Sequence, residues 1–220
     1  LPHSPYVATP ESGDESKSPQ EYFSDMVTHT DVIVGRVLDV LMELEIHERT
    51  LVIFVGDNGT GRAIRSQWRG REIVGGKSFM TMSGTHVPCV AWWPGTTKPG
   101  VLRDLVDFTD IMPTLCEVAS IDREAGATID GRSFLPQLRG EAGSPREWIF
   151  CHYEPRWNVP GKPGRYAFDG RYKLNHDGQL FDVVDDRDEG SPLTSPGAAA
   201  AAEAARAKLQ GVLDSMPPWR

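Results

Sequence analysis

Two neighbouring side chains with hard oxygen donors follow directly after an apolar run in the first third of the chain. Asp57 and Asn58 lie in the segment Gly56-Asp57-Asn58-Gly59, immediately after the run at residues 50–55. A carboxylate and an amide oxygen are ligands that Ca²⁺ or Mg²⁺ accepts, although Ca²⁺ takes about six to eight oxygens in total. The same four residues are also typical of an ordinary turn, so the pair alone leaves both interpretations open.

Two basic side chains elsewhere could contact an anion. Lys77 follows two glycines, which allow the main chain to approach an anion closely while the ammonium supplies a point charge. His3 lies in Pro2-His3-Ser4-Pro5, where the prolines stiffen the backbone. Its imidazole could contact an anion or protonate a leaving group. Taken singly, each of these side chains could equally be a solvated surface residue.

The hydrophobic pattern predicts the elements that position these residues. Those elements are a helix over 21–44, a strand over 50–55, a long loop over 60–85 and a second buried strand over 87–93. The β-branched run at 50–55 predicts a strand buried on both faces of a parallel sheet. Because ligands of open α/β sheets bind at the carboxyl ends of strands, Asp57 and Asn58 lie where a site is expected.

Further along, residues 101–106 suggest a short strand, and Thr109 is a plausible N-cap for a helix that continues to residue 119. Two Asp-Gly pairs, Asp169-Gly170 and Asp177-Gly178, separate short alternating runs. This pattern is a strong indication of hairpins, and it predicts a small antiparallel sheet. An Ala-rich helix over 198–216 then closes the chain. The order of elements predicts an α/β fold.

Composition excludes some classes of function. The 220 residues are 39% hydrophobic and 25% charged, as in ordinary globular proteins. A net charge of −8 argues against a nucleic-acid partner, and the sequence contains no apolar run of about 18 residues that would predict a membrane span. Cys89, Cys116 and Cys151 show no metal-ligand spacing, and the first two are predicted to be buried core thiols. The chain opens without an initiator Met, and we expect it to be a piece of a longer protein.

In this order, the motifs resemble the sulfatase (arylsulfatase-like) family of the alkaline phosphatase superfamily. That family has a strand ending in Ser/Gly-Asp-Asn-Gly, a Gly-Gly-Lys loop and a Gly-x-x-Val-Pro segment before the next strand. The matching segments here are Gly56-Asp57-Asn58-Gly59, Gly75-Gly76-Lys77 and Gly84-Thr85-His86-Val87-Pro88. The opening residues 1–6 are similar to the family's Pro-His-x-Pro-Phe segment, and residues 179–183 to its Leu-Tyr-Asp-Leu end motif. The resemblance covers nearly the whole chain.

The resemblance implies the fold and the division of the chain. Residues 1–140 would be the C-terminal portion of the sulfatase α/β catalytic domain, part of a mixed sheet flanked by helices. Residues 141–220 would form a small C-terminal antiparallel subdomain with a terminal helix. The chain would therefore be the C-terminal half of a sulfatase.

The resemblance also implies roles for individual residues. Asp57 and Asn58 would be calcium ligands, with Mg²⁺ the less favoured ion. Lys77 would contact a sulfate oxygen and stabilise charge in the transition state, and His3 would contact the sulfate or its leaving oxygen. The implied partner is a sulfated small molecule or glycan, and the implied location is outside the cytoplasm, either periplasmic or secreted. The oligomeric state is not determined by the sequence.

Two departures from the family pattern affect the expected function. His86 replaces the arginine of the Glu-Gly-Gly-x-Arg-Val-Pro segment common in relatives, which leaves the substrate class open. The family's nucleophile, a formylglycine formed in a Cys/Ser-x-Pro-x-Arg motif, and its paired N-terminal aspartates have no counterpart in these residues. We therefore expect hydrolysis of an organic sulfate ester only when an N-terminal half supplies the calcium-bound formylglycine, and an inactive chain otherwise.

Two alternative functions remain open at this point. One is a phosphonate or phosphodiester hydrolase of the same superfamily, which shares the Asp-Asn pair and much of the scaffold. The other is a non-catalytic fragment or degenerate paralogue, which folds and binds but catalyses nothing. An aryl sulfate assay against matched phosphate esters separates the first, and the upstream sequence separates the second.

Overall fold

The computed structural model describes residues 2–13, 16–121, 129–155, 161–194 and 199–218. The chain forms two compact units, residues 1–95 and residues 96–220. The boundary at residue 140 was inferred from the family resemblance and not from compactness, and it stays a prediction. Among the described residues, no helix is long and apolar enough to cross a membrane.

The first unit consists of two helices and two strand pairs. The helices are α1 (Pro19–Glu43) and α2 (Met82–Thr85), and the strands are β1 (Val52–Val55), β2 (Arg65–Trp68), β3 (Arg71–Val74) and β4 (Cys89–Trp92). A 3₁₀ turn at His47–Arg49 leads from α1 into β1. Strand β1 pairs with β4, and β2 pairs with β3, both in antiparallel fashion.

Helix α1 begins at a capping box. The Ser18 hydroxyl accepts a hydrogen bond from the Glu21 main-chain N–H at 3.3 Å, and the Glu21 carboxylate accepts one from the Ser18 N–H at 2.9 Å. The helix therefore starts two residues before the predicted position. Its apolar side chains remain largely exposed: only Thr30 is buried, whereas Val37 and Val40 are each 50% exposed.

The prediction of a strand buried on both faces of a parallel sheet was wrong for β1. The strand lies antiparallel to β4, from Val52 opposite Trp92 to Val55 opposite Cys89, and no side chain of β1 is fully buried. Phe54, for example, is 37% exposed. A β-branched run favours a strand, but the direction of its partner depends on the path of the chain between them.

The long loop predicted over 60–85 was also wrong in part, because it contains the β2–β3 hairpin and helix α2. The hairpin lacks the alternation of apolar and polar residues that predicts strands, since β2 reads Arg-Ser-Gln-Trp. Its turn is formed by Arg69 and Gly70, which both have positive φ, 51° and 78°. Such a turn is usually formed by Asn-Gly or Asp-Gly, so Arg-Gly gave a weaker indication.

The second unit contains an antiparallel sheet and a closing helix. The helices are α3 (Ile111–Val118), α4 (Leu135–Leu138) and α5 (Ala200–Ser215), and the strands are β5 (Ile149–Tyr153), β6 (Gly164–Phe168), β7 (Tyr172–Asn175) and β8 (Leu180–Asp182). The sheet has the order β5-β6-β7-β8. The predicted α/β class and small C-terminal antiparallel sheet are thereby confirmed.

Helix α5 packs against this sheet and forms the core of the second unit. The buried cluster comprises Ala167, Leu174, Leu180, Ala202, Leu209 and Val212. The predicted Ala-rich helix is confirmed over Ala200–Ser215, and its predicted first residue, Ala198, lies outside the described residues. Small alanine side chains on the inner face allow the helix to lie close to the strands.

Three further sequence predictions were wrong. Residues 101–106 contain an isolated bridge from Leu105 to Arg146 but no strand. The N-cap of α3 is Asp110, so Thr109 is not the N-cap. The short 3₁₀ turn before α3 is capped by Asp107, whose carboxylate accepts the Thr109 N–H at 2.9 Å. Cys89 is exposed and Cys116 is half-buried, so neither is a buried core thiol. Cys89 begins β4, whose first two side chains are both exposed, and its apolar sequence neighbours do not reveal this exposure.

Candidate active site

The structure brings His3 and Lys77 into direct contact, although they are 74 positions apart in the sequence. The Lys77 Nζ lies 2.8 Å from the His3 Nε2, and the His3 Nδ1 lies 2.6 Å from the Ser4 carbonyl oxygen. Because a carbonyl oxygen only accepts, the His3 Nδ1 carries the proton and its Nε2 accepts from the Lys77 ammonium. The pair therefore presents the Lys77 ammonium, oriented by the His3 ring, to an anion that binds here.

The segment that carries His3 is held against the rest of the first unit at two points. The Tyr6 ring meets the Phe23 ring of α1 edge to face, with centroids 5.7 Å apart. Further along, the Asp25 carboxylate accepts hydrogen bonds from the Ser12 hydroxyl at 2.6 Å and the Lys17 ammonium at 2.7 Å. These contacts with α1 position the segment from which the His3 imidazole reaches Lys77.

The Lys77 loop is tied to the turn that follows β1 by main-chain hydrogen bonds. The Lys77 N–H donates to the Thr60 carbonyl at 2.9 Å, and the Gly59 N–H donates to the Gly84 carbonyl at 2.8 Å. The main chains approach so closely here that glycine is required at two positions. A Cβ atom at Gly59 would lie 2.0 Å from the Ser83 carbonyl oxygen, and one at Gly76 would lie 2.6 Å from the Gly84 main-chain nitrogen.

Asp57 and Asn58 lie in a bend two residues beyond the end of β1, and both are exposed. Asn58 is two residues before Thr60, whose carbonyl holds the Lys77 main chain. Within the part of the chain that the structure describes, neither the Asp57 carboxylate nor the Asn58 amide has a hydrogen-bond partner. Their oxygens are therefore available to a ligand on the same turn that anchors the Lys77 loop.

The donor set fits calcium in kind but not in number. A carboxylate and an amide oxygen suit Ca²⁺, which takes about six to eight oxygens. Over the described residues, no group of three or more His, Cys, Asp or Glu side chains is arranged to hold a metal. The Asp57 and Asn58 pair fits part of a calcium shell, and the remaining ligands would come from other groups.

Two further basic side chains, His86 and Arg62, lie in the segment between β1 and β4. His86 is exposed and ends α2, where its main-chain N–H donates to the Met82 carbonyl at 2.9 Å. Arg62 was missed in the sequence: its guanidinium lies over the Phe79 ring, 4.4 Å from the ring centroid, beside the Lys77 loop. A run of basic residues between 62 and 77 in an otherwise acidic chain is the pattern that could have identified it.

Comparison with known proteins establishes the family. The family model described as Sulfatase matches residues 2–121, which is more than half of the chain. The chain therefore belongs to the sulfatase family, and the resemblance drawn from its motifs is confirmed.

Individual relatives agree with this assignment. The chain is 32% identical over 158 residues to steryl-sulfatase of Mus musculus, covering 69% of this chain and 25% of that protein. It is 35% identical over 132 residues to arylsulfatase A of Homo sapiens, covering 59% of this chain and 26% of that protein. The chain thus spans about a quarter of the length of these curated relatives.

A solved structure supports the fold. The structure of BT1596, a 2-O GAG sulfatase, superposes with a TM-score of 0.68 at 25% identity, covering 89% of this chain and 41% of that one. The match extends well beyond the residues covered by the family model. The architecture of most of the chain is therefore that of a sulfatase.

Proposed function

We propose that this chain supplies the anion-binding part of a sulfatase active site, in a protein that hydrolyses an organic sulfate ester to an alcohol and sulfate. The contact of 2.8 Å between the His3 Nε2 and the Lys77 Nζ is the observation that supports this proposal most directly. The contact brings an ammonium and an imidazole together. The ammonium belongs to Lys77, whose main chain is hydrogen-bonded to the turn that carries Asp57 and Asn58.

Lys77 is the group that binds and stabilises the sulfuryl oxygens. An ammonium has three N–H donors, and the His3 Nε2 accepts one of them. The other two can donate to an incoming oxyanion, where the positive charge offsets the negative charge that develops in the transition state. Because the His3 contact and the main-chain hydrogen bond to Thr60 hold Lys77 in place, little reorganisation is required when an anion binds.

His3 contributes through the nitrogen that faces Lys77. In the present arrangement its Nε2 accepts from the Lys77 ammonium and thereby orients it. The same nitrogen is the one that would lie next to a sulfate oxygen or the leaving oxygen of a substrate bound at Lys77.

Asp57 and Asn58 would hold a Ca²⁺ ion, with Mg²⁺ the less favoured alternative. When bound, the ion would supply positive charge that offsets negative charge on the sulfuryl group. The exposure of both side chains and their lack of partners among the described residues support this assignment. Both residues occupy the turn directly after β1, where the main chain of Gly59 and Thr60 fixes their position relative to Lys77.

We further propose that the nucleophile, a formylglycine, lies on residues that are not in this chain, which is therefore inactive by itself. The 220 residues contain no Cys/Ser-x-Pro-x-Arg motif. The exposed apolar side chains of the first unit support the same proposal, since such a surface usually marks an interface. They include Val27, Ile33, Val37, Val40, Met42, Phe54 and Val90.

The substrate is proposed to be a sulfated glycan or an aryl sulfate, and the place of action to be outside the cytoplasm. The names of the relatives support the first proposal, because they describe steryl, aryl and GAG sulfatases. The second proposal rests on the family resemblance alone.

The test is hydrolysis of an aryl sulfate by the full-length protein that contains this chain. Lys77→Ala should lower kcat/KM by about 10²–10³-fold, as for removal of other transition-state donors. Lys162→Ala is the matched control, because Lys162 is an exposed lysine of the second unit. Activity of Lys77→Ala close to that of the unmutated protein would refute the assigned role. Faster hydrolysis of a matched phosphodiester or phosphonate would instead assign the protein to that class of hydrolase.

A further inference from the structure

The segment over residues 62–77, which contains the β2–β3 hairpin, has an excess of positive charge in an acidic chain. The hairpin itself, residues 65–74, carries three arginines and one glutamate, a net charge of +2. Residues 62–77 carry five basic side chains and one acidic side chain, a net charge of +4, whereas the whole chain carries −8. The other 204 residues therefore carry −12. The basic side chains are Arg62, Arg65, Arg69, Arg71 and Lys77. Such a local excess attracts anions although the net charge of the chain is negative.

The hairpin is held at its base and leads directly into the candidate active site. Ile64, at the start of β2, is 1% exposed, and its carbonyl accepts the Gly75 N–H at 3.0 Å. The Arg65 N–H donates to the Gln20 side chain of α1 at 2.8 Å. Lys77 follows Gly75 by two residues, so the base of the hairpin adjoins the His3–Lys77 contact. With about 3.4 Å per residue, the turn lies roughly 17 Å beyond this base.

The hairpin exposes arginine guanidinium groups and one tryptophan ring to solvent. Trp68 is 57% exposed, and the Arg69 guanidinium lies 5.2 Å from its ring centroid. The Arg65 side chain is 59% exposed and lies 2.5 Å from the Glu72 carboxylate, which is itself 48% exposed. Guanidinium planes stacked on rings keep their N–H edges available, and these edges match the geometry of oxyanions. An exposed indole adds a flat apolar face against which a pyranose ring can lie.

We propose that the β2–β3 hairpin binds a polysulfated saccharide chain through sulfate groups other than the one bound at His3 and Lys77. The proposal rests on the function proposed above and deepens it by naming the class of substrate. A single aryl sulfate bound at the His3–Lys77 contact would be too short to reach Arg69 and Trp68 near the turn, roughly 17 Å from the base of the hairpin. A saccharide chain with repeated sulfates would extend from Lys77 along the hairpin towards Arg69 and Trp68. Its sulfate groups would contact the guanidinium groups, and a sugar ring would lie against the Trp68 indole.

The test is binding of a size-defined heparin octasaccharide to the full-length protein, measured by calorimetry in a Lys77→Ala background. That background removes the ester site, so binding reports on the hairpin and does not depend on turnover. The same octasaccharide without sulfates should not bind measurably, and the affinity should fall as salt concentration rises. Octathymidylate, a polyanion of phosphates, should bind more weakly than the octasaccharide. Equal binding of octathymidylate would overturn the proposed preference for sulfated saccharides.

The key variant is Arg69→Asn, which removes one charge and creates an Asn-Gly turn with the positive φ values that the hairpin requires. It should therefore fold and should weaken octasaccharide binding by about fivefold, the value of one well-placed exposed ion pair. Trp68→Ala should weaken binding further. The matched control is Arg139→Asn, at an exposed arginine of the second unit, and it should bind as before.

The outcomes separate this inference from the proposed function. If the protein without Lys77→Ala hydrolyses aryl sulfate but octasaccharide binding is unaffected by Arg69→Asn and Trp68→Ala, the hairpin inference alone is overturned. If binding depends on both residues but no sulfate ester is hydrolysed, the proposed function fails and the binding surface stands.

Discussion

The ion pair between Lys173 and Glu189 is the most deeply buried charge pair in the described part of the second unit. The side chains are only 1% and 4% exposed, and the Lys173 Nζ lies 2.5 Å from the Glu189 Oε2. The Lys173 Nζ also lies 4.5 Å from the centroid of the Tyr166 ring. Burial lowers the pKa of Lys173, while the Glu189 charge acts in the opposite direction. Because both side chains are withdrawn from solvent, each charge needs partners within the protein, and the other member of the pair supplies one.

Removal of one partner should therefore be costly. Lys173→Met keeps most of the side-chain volume but leaves the Glu189 carboxylate buried without its counter-charge, which should lower the free energy of unfolding by about 3–5 kcal/mol. Glu189→Gln keeps an amide oxygen that can accept from Lys173, so its cost should be smaller, about 1–3 kcal/mol. The double variant Lys173→Met/Glu189→Met should recover most of the loss, because apolar replacement of a buried ion pair is often neutral.

Urea unfolding followed by tryptophan fluorescence measures these differences, since Trp148 packs against the core of the second unit. Lys162→Met is the control, because it replaces an exposed lysine of the same unit and should change stability by no more than about 0.5 kcal/mol. If Lys173→Met behaved like this control, or if the two single losses simply added in the double variant, Lys173 and Glu189 would not be energetically coupled and the reasoning would be wrong.

Two further predictions concern the first unit. Calcium calorimetry on the 220-residue chain should show weak or absent binding, because Asp57 and Asn58 fill only two of about six to eight coordination positions. Tight binding that Asp57→Ala abolishes would contradict a calcium site shared between this chain and other residues. Hydrogen bonds from Lys17 and Ser12 hold the pKa of Asp25 below its ordinary value of about 4, so their stabilising effect is complete above that value and is lost as pH falls through the lowered pKa. The protection factors of the amides in residues 9–13, which correct the exchange rates for the intrinsic effect of pH, should therefore fall in strong acid. In Asp25→Asn they should be low even near neutral pH. Protection that stays the same across this pH range would exclude the link.

The sequence by itself determined the family and the elements that depend on neighbouring residues. The order of Asp57-Asn58, Lys77 and the Val87-Pro88 segment identified a sulfatase without any three-dimensional information. The Asp-Gly turns of the second unit are likewise local. The capping box at Ser18 is equally local, but it was not predicted, and α1 begins two residues earlier than expected. The conformational preferences of caps and tight turns depend on three or four consecutive residues, so the sequence alone is sufficient to predict them.

The tertiary structure alone decided which distant groups meet. The contact between His3 and Lys77 spans 74 positions, and it depends on the close backbone approach at Gly59 and Gly76. The antiparallel partner of β1, the exposure of Cys89 and the hairpin that presents Arg69 were decided in the same way. Such contacts depend on the path of the chain and on packing between segments that are far apart in sequence. A pattern of neighbouring residues carries no information about either.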